Sequence, residues 1–386
     1  MRISHSSVIA AVFALTLTTA NGARGGFLYK ATLLSGVGDN TGVIGTGVNA
    51  SGQVAGRTGF QSGPTQAFLS GPNGGVLRDL GTLGGSPTEA NGVNASGQVV
   101  GDSLVTGGNI HAFLSGANGG ALRDLGTLGN DTWSYGFGVN TSGQVAGVSF
   151  ISGNNSSIRA FLSGANGGAL RDLGTVNGSD YSWANGVNDS GQVTGYSHFA
   201  TGGDHAFLSG ANGGALRDLG TLGGAASQGN AVNASGQVVG VSTNGSGSRH
   251  AFLSGANGGA LMDLGALGGS FSTAQGVNAS GQVVGVYQSA NNSPGRAFLY
   301  SNTVMVDLNT LIDPASGITL TSASSISDNG FITGYGFDRG NPSGGFMPFL
   351  LTPSASVPEP STFALLGVGI GFALLARVRV SRRSAR

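Results

Sequence analysis

Apolar residues along most of this chain come in short runs, many alternating with polar residues or glycine, and each run closes on a turn signal. Between residues 124 and 162 four such runs stand out: Asp124 to Leu128, Phe137 to Asn140, Gln144 to Ser149, and Ala160 to Leu162. A period of two, β-branched and aromatic residues, and short length predict strands. The segments between them read Asn-x-Ser-Gly or Gly-Ala-Asn-Gly-Gly, and Asn and Gly accept positive φ at little cost, so these are turns. The 3.6-residue period of a helix is absent from the body of the chain.

The pattern repeats. The segment Val93-Asn94-Ala95-Ser96-Gly97-Gln98-Val99-Val100-Gly101 recurs with its central glycine at Gly52, Gly97, Gly143, Gly191, Gly236 and Gly281, and a worn copy centres on Gly330. A second marker, Ala-Phe-Leu, falls at Phe68, Phe113, Phe161, Phe207, Phe252 and Phe298, with Phe349-Leu350 as the seventh. Four short strands with tight turns in ~45 residues is the size of one propeller blade. The residues from Phe27 to Gly36 supply a strand at one end of the chain, with Ala31 to Gly36 standing where Leu-Gly-Thr-Leu-Gly-Gly stands elsewhere. Phe349-Leu350 supplies a strand at the other. One blade completed by both ends leaves no open sheet edge. The expectation is an all-β, seven-bladed β-propeller over residues 24–352. A β-solenoid is the alternative, but its rungs are shorter and its ends need caps.

Composition narrows the class. Of 386 residues 74 are glycine, yet 39% are hydrophobic and only 9% charged, the reverse of the balance that keeps chains disordered. Glycine follows no Gly-X-Y period, which excludes a collagen-like fibre. With no cysteine there are no disulfides, thiol nucleophiles or thiolate metal sites. Formal charge is zero, but Arg377, Arg379, Arg382, Arg383 and Arg386 cluster at the C-terminus and leave the body mildly acidic, with Lys30 its one lysine. Such a surface does not suit nucleic acid.

The two ends read as addresses. Arg2, the apolar run from Val8 to Leu17 and the small residues Thr18 to Ala23 have the order of a secretory signal peptide, residues 1–23. At the other end a linker (353–362) carries Val357-Pro358-Glu359-Pro360-Ser361. An apolar span (363–376), short against the ~20 residues of a typical transmembrane helix, and a basic tail (377–386) follow. The positive-inside rule leaves that tail cytoplasmic and the body outside. The order Pro-Glu-Pro, short apolar span, arginine cluster resembles the PEP-CTERM sorting signal. That resemblance implies a Gram-negative, exopolysaccharide-producing bacterium and processing near Pro358-Glu359-Pro360 by a membrane protease, an exosortase. It also implies an inner-membrane intermediate, then release or attachment at the cell surface. A permanent one-span anchor is the alternative. The Ala-Phe-Leu and Asp-Leu-Gly unit resembles the extracellular HAF-type repeat. The full His-Ala-Phe stands at His111, His205 and His250, while Gln66, Arg159 and Arg296 replace the histidine elsewhere. This resemblance implies an extracellular location and no established catalysis.

Candidate chemistry is sparse, and neither metal nor cofactor is expected. Arg78-Asp79, Arg123-Asp124, Arg171-Asp172 and Arg217-Asp218 recur, but neighbours on a strand face opposite sides, so each pair is split. The aspartate is expected to bind backbone or a histidine of its own unit. Asn49, Asn94, Asn140, Asn188, Asn233 and Asn278 match the N-glycosylation pattern, which turn chemistry explains. Asp189 and Asp328 stand in similar turns with too few oxygens for calcium. Glycoside cleavage needs two matched carboxylates, and Glu89 is the one glutamate of the body. One asymmetry stands out: Trp133 and Tyr135 precede Asn140 by the same intervals as Tyr181 and Trp183 precede Asn188. Two adjacent units thus carry an aromatic pair on one strand face, either to stack on sugar rings or to fill space between blades. The expected function is a non-catalytic exported surface or matrix protein touching exopolysaccharide or other surface proteins. A carbohydrate-binding module using Trp133, Tyr135, Tyr181 and Trp183, and an exported propeller hydrolase or lyase, are the alternatives.

Overall fold

The structure is a computed structural model that describes residues 28–354 apart from 36–41, 60–64, 130, 151–157, 180, 200–201, 290–292 and 342–344. The expected signal peptide, the sorting residues Val357 to Ser361, the apolar span and the basic tail lie outside the described residues. Among the described residues there is no α-helix, and none is long and apolar enough to cross a membrane.

Among the described residues twenty-eight strands fall into four-stranded groups. Five are separate sheets, and two are joined into one eight-stranded sheet by the single parallel pair Arg249–Phe271. The groups are numbered here as units 1 to 6 (residues 44–79, 84–124, 133–172, 182–218, 223–263 and 271–307) and unit 7 (residues 318–353 with 29–33). Each is an antiparallel meander, and consecutive units pack face to face, so the body is an all-β propeller. In unit 7 the N-terminal strand Tyr29–Leu33 lies outside Met347–Pro353, with Leu33 opposite Phe349 as Asp79 is opposite Phe68 in unit 1. Both chain ends therefore complete one sheet. Unit 7 in turn meets unit 1, through Ser325 Oγ accepting from Val48 N at 3.4 Å and Asn329 Nδ2 donating to Ala50 O at 2.8 Å.

The strands expected at Gln144 to Ser149 and Ala160 to Leu162 run Val145–Phe150 and Ile158–Ser163, and two others differ more. The run expected from Asp124 to Leu128 is a strand only at Leu122–Asp124, because the Asp124 carboxylate accepts from Gly126 N at 2.7 Å and turns the chain. This strand is the outer edge of its unit, paired to Ile110–Ser115. The innermost strand runs Trp133–Val139, longer than Phe137 to Asn140, with a bulge at Phe137 that breaks its alternation.

The repeated triplet forms the core. Phe113 packs against Ala55, Ala67 and Leu69 of the preceding unit, while Ala112 and Leu114 pack with Val145 and Phe161 of the next. Both faces of the third strand are thus dry, and its phenylalanine is fully buried in all seven units. Burying a phenylalanine side chain contributes ~1.5–3 kcal/mol. The ring lies flat on the second strand: a Cβ placed on Gly147 would stand 2.6 Å from Phe161 Cζ and 2.0 Å from Tyr135 O. Only glycine fits there.

Candidate functional site

The recurring asparagine is more than a turn residue. Asn94 Oδ1 accepts from Ser96 N and Gln98 N, which shapes its own turn, while Nδ2 donates to Asn140 O in the next unit at 2.9 Å. The same bond joins Asn49 to Asn94, Asn140 to Asn188, Asn188 to Asn233, Asn233 to Asn278, and Asn278 to Ser327. Asp189 and Asp328 add to these clasps by accepting from Thr141 N and Ala279 N. The arginines act likewise. Arg123 donates to Asn166 O at 2.9 Å, and Arg78, Arg171 and Arg217 reach the matching turns of their next units. Asp124 and Asp218 turn the other way, to His111 and His205 of their own units at 2.9 Å, and Asp79 turns to Gln66; Asp263, which follows Met262, pairs with His250 at 2.9 Å. These groups are structural joints, and no group of His, Asp or Glu among the described residues has the arrangement of a metal site.

The near-identical units are not alike everywhere. They differ on the first two strands, at the mouth of the ring opposite the asparagine turns. The bulged residue of each innermost strand lines the central channel: Thr46, Asn91, Phe137, Asn185, Asn230, Gln275 and Ser324. Next to it the backbones nearly touch. A Cβ on Gly138 would stand 2.9 Å from Gly186 Cα, which requires a glycine or small residue at this register.

Units 3 and 4 hold one contiguous aromatic array at that mouth. Trp133 contacts Tyr135 at 6.4 Å between centroids, Tyr135 contacts Phe137 and Phe150, and both phenylalanines contact Trp183, at 5.5 and 6.2 Å. Trp183 stacks on Tyr196, which meets Tyr181, and Tyr181 stacks on His198 at 4.9 Å with its plane tilted by 1°. Trp133 is 42% exposed, and Tyr135, Tyr181 and Trp183 are half-buried. The structure thus brings the four sequence-predicted residues together. It adds His198, and also Phe137, Phe150 and Tyr196, whose place in the array the sequence reading missed.

Polar groups bound the array on both sides. Asp204 accepts from His198 Nδ1 at 3.0 Å, Tyr181 Oη at 3.2 Å and Gln228 Nε2 at 2.9 Å. On the other side Arg57 of unit 1 is paired with Glu89 of unit 2, which is opposite Asp102 in strand register. Asp102 is 5% exposed and accepts from Asn91 Nδ2 at 3.0 Å. Burial pushes its carboxyl up to about 6, against the Asn91 hydrogen bond and the Arg57 charge. Burial and the nearby Asp102 push Tyr135 up to about 12, and burial with Asp204 and Tyr181 does the same to Tyr196. Desolvation lowers the Arg57 guanidinium despite the attraction of Asp102. A repeat-by-repeat comparison carries the missed signal: Arg57, Asp102 and Tyr196 each follow the last glycine of the repeated segment (Gly56, Gly101 and Gly195), where Val148, Val241 and Val286 stand in other units.

Known structures share the fold. An oligogalacturonate lyase from Vibrio parahaemolyticus superposes with a TM-score of 0.55 at 12% identity, over 86% of this chain and 94% of that one. A prolyl endopeptidase gives 0.53 at 9% identity, over 82% and 51%. TolB from Acinetobacter baumannii gives 0.46 at 12% identity, and this chain spans 65% of that protein's length. Identities this low speak to the propeller fold alone. No curated protein matches the chain. Residues 356–383 match the PEP-CTERM protein-sorting motif, so the chain carries an exosortase sorting signal and is exported through the membrane to the cell surface or extracellular space.

Proposed function

We propose that this protein is a seven-bladed, non-catalytic ring of the cell surface or extracellular matrix that contacts exopolysaccharide through the aromatic array of units 3 and 4. The secretion machinery and an exosortase handle its ends, and the HAF-type character of the repeats fits an extracellular role. One observation carries the reading. In a ring of near-identical units, eight rings converge at one mouth with Trp133 open to solvent. Stacking on such faces is a sequence-tolerant way to hold a sugar, and polar side chains at the margin accept hydroxyl donors. The test is co-sedimentation of the exported protein with exopolysaccharide from its own source across a salt series. Saturable, salt-resistant binding that Trp133→Ala weakens supports it, and no binding overturns it.

A second reading is a glycoside hydrolase, favoured by the register pairing of Glu89 with Asp102 and by the raised Asp102 carboxyl. The burial of Asp102 and the Arg57–Glu89 ion pair weigh against it. Sugar release by the wild type but not by Glu89→Gln would establish it.

A further inference from the structure

We infer that the central channel beside the array is a subsite for one uncharged sugar unit at the end of a glycan chain, an inference that rests on the exopolysaccharide reading above. Phe137 belongs to both features: it stacks with Tyr135 and Trp183, and it lines the channel. The array therefore runs from the exposed Trp133 to the channel wall without a break.

The wall is chemically specific. Asn91 Nδ2 donates to Gly136 O at 2.9 Å, Asn185 Nδ2 to Gly229 O at 2.8 Å, and Asn230 Nδ2 to Ala274 O at 2.7 Å. Each amide is thereby held by its amino group to the next unit. The fixed atom left for a ligand is the carbonyl oxygen, and no described residue donates a hydrogen bond to Oδ1 of these three. Several acceptors held around one cavity call for a ligand rich in hydroxyl donors. No charged side chain lines this cavity among the described residues. A uronate would thus enter without a counter-charge, at high desolvation cost. The volume of about 280 Å³ lies just under the ~300–1,000 Å³ of ordinary small-molecule sites, room for one sugar and not for a folded-back chain.

The register supplies the test. Ser324 takes the position in unit 7 that Phe137 takes in unit 3, and among the described residues its side chain makes no clasp to another unit. Ser324→Phe plugs the channel with a side chain this position already accepts, and Ser324→Leu is the milder second variant. Both are compared with the wild type by thermal unfolding and by titration with neutral hexose tetrasaccharides, a uronic-acid tetrasaccharide and calcium chloride alone. The expected result is binding of a neutral tetrasaccharide only, weakened at least about tenfold in whichever variant keeps the wild-type melting temperature. Capacity for the polymer should also rise with the number of chain ends at constant mass. Polymer binding unchanged by either variant, or independent of chain ends, overturns the channel subsite and leaves the array reading standing. Calcium binding without sugar binding also overturns it. If no saccharide of any length binds, both readings fall together.

Discussion

Asn94 Nδ2 donates to the backbone carbonyl of Asn140, the residue that holds the same place in the next unit, and Asn140 passes the bond on to Asn188. The propeller is thus tied around its circumference by side chains that also shape their own turns. Replacing Asn140 by Ala removes the clasp to unit 4 and the acceptor for Gln144 N. A buried polar group left without its partner costs ~1–3 kcal/mol. Denaturant unfolding should register that loss for Asn140→Ala, whereas Thr141→Ala, at an exposed position of the same turn, should cost clearly less.

The phenylalanine and glycine of each unit should prove coupled. Phe161→Ala opens a cavity between units 2 and 3 and should cost ~3–5 kcal/mol. Gly147→Ala should be as damaging, since its Cβ meets both the ring and Tyr135 O. In the double variant the clash with the ring is gone but the clash with the carbonyl stays. The two losses should therefore add to less than their sum.

Asp102 gives the stability a readable pH dependence. Its carboxyl is raised to about 6 in the folded state, against ~3.9 when unfolded. The folded protein therefore holds this proton more tightly. The stability it contributes is full below pH ~4 and is lost as pH rises through about 6. Arg57 and Glu89 face the group from units 1 and 2, and Tyr135 from unit 3. Asp102→Asn, which keeps the neutral shape, should remove this component. Relative to the wild type it should gain stability between pH 4 and 7 by ~1–3 kcal/mol. A difference that is flat with pH would show the carboxyl to be unperturbed.

The two tryptophans should separate. Trp133 is open to solvent, so Trp133→Ala should cost under ~1 kcal/mol while glycan binding weakens. Trp183 touches Phe137, Phe150 and Tyr196, so Trp183→Ala should cost ~1–3 kcal/mol as well as binding. Equal and large losses of stability would assign both rings to packing alone.

The sequence made the repeat, its strands and its turns legible, because glycine, asparagine and the Ala-Phe-Leu triplet each answer to local geometry. It also separated each Arg from its neighbouring Asp correctly, since alternation on a strand puts Arg171 and Asp172 on opposite faces. The clasps were hidden, because Asn94 meets its partner one whole unit away and nothing local marks the bond. The bulge at Phe137 hid its place on the channel wall, because a strict period of two breaks there. Phe150 and Tyr196 were hidden for a related reason: only the pairing of the second strand with the first brings them under Tyr135 and Trp183. The charged trio of Arg57, Glu89 and Asp102 spans two units, so its members look like isolated departures from a repeat.

The most direct test uses a fact of composition. Trp133 and Trp183 are the only tryptophans in the chain, and both lie in the array, so intrinsic fluorescence reports on that site alone. Titration of the exported protein with its own exopolysaccharide should shift tryptophan emission along a saturable curve, lost on Trp133→Ala. An emission spectrum that stays fixed while the protein still co-sediments with the polymer would contradict the account, and would move the contact to another surface of the ring.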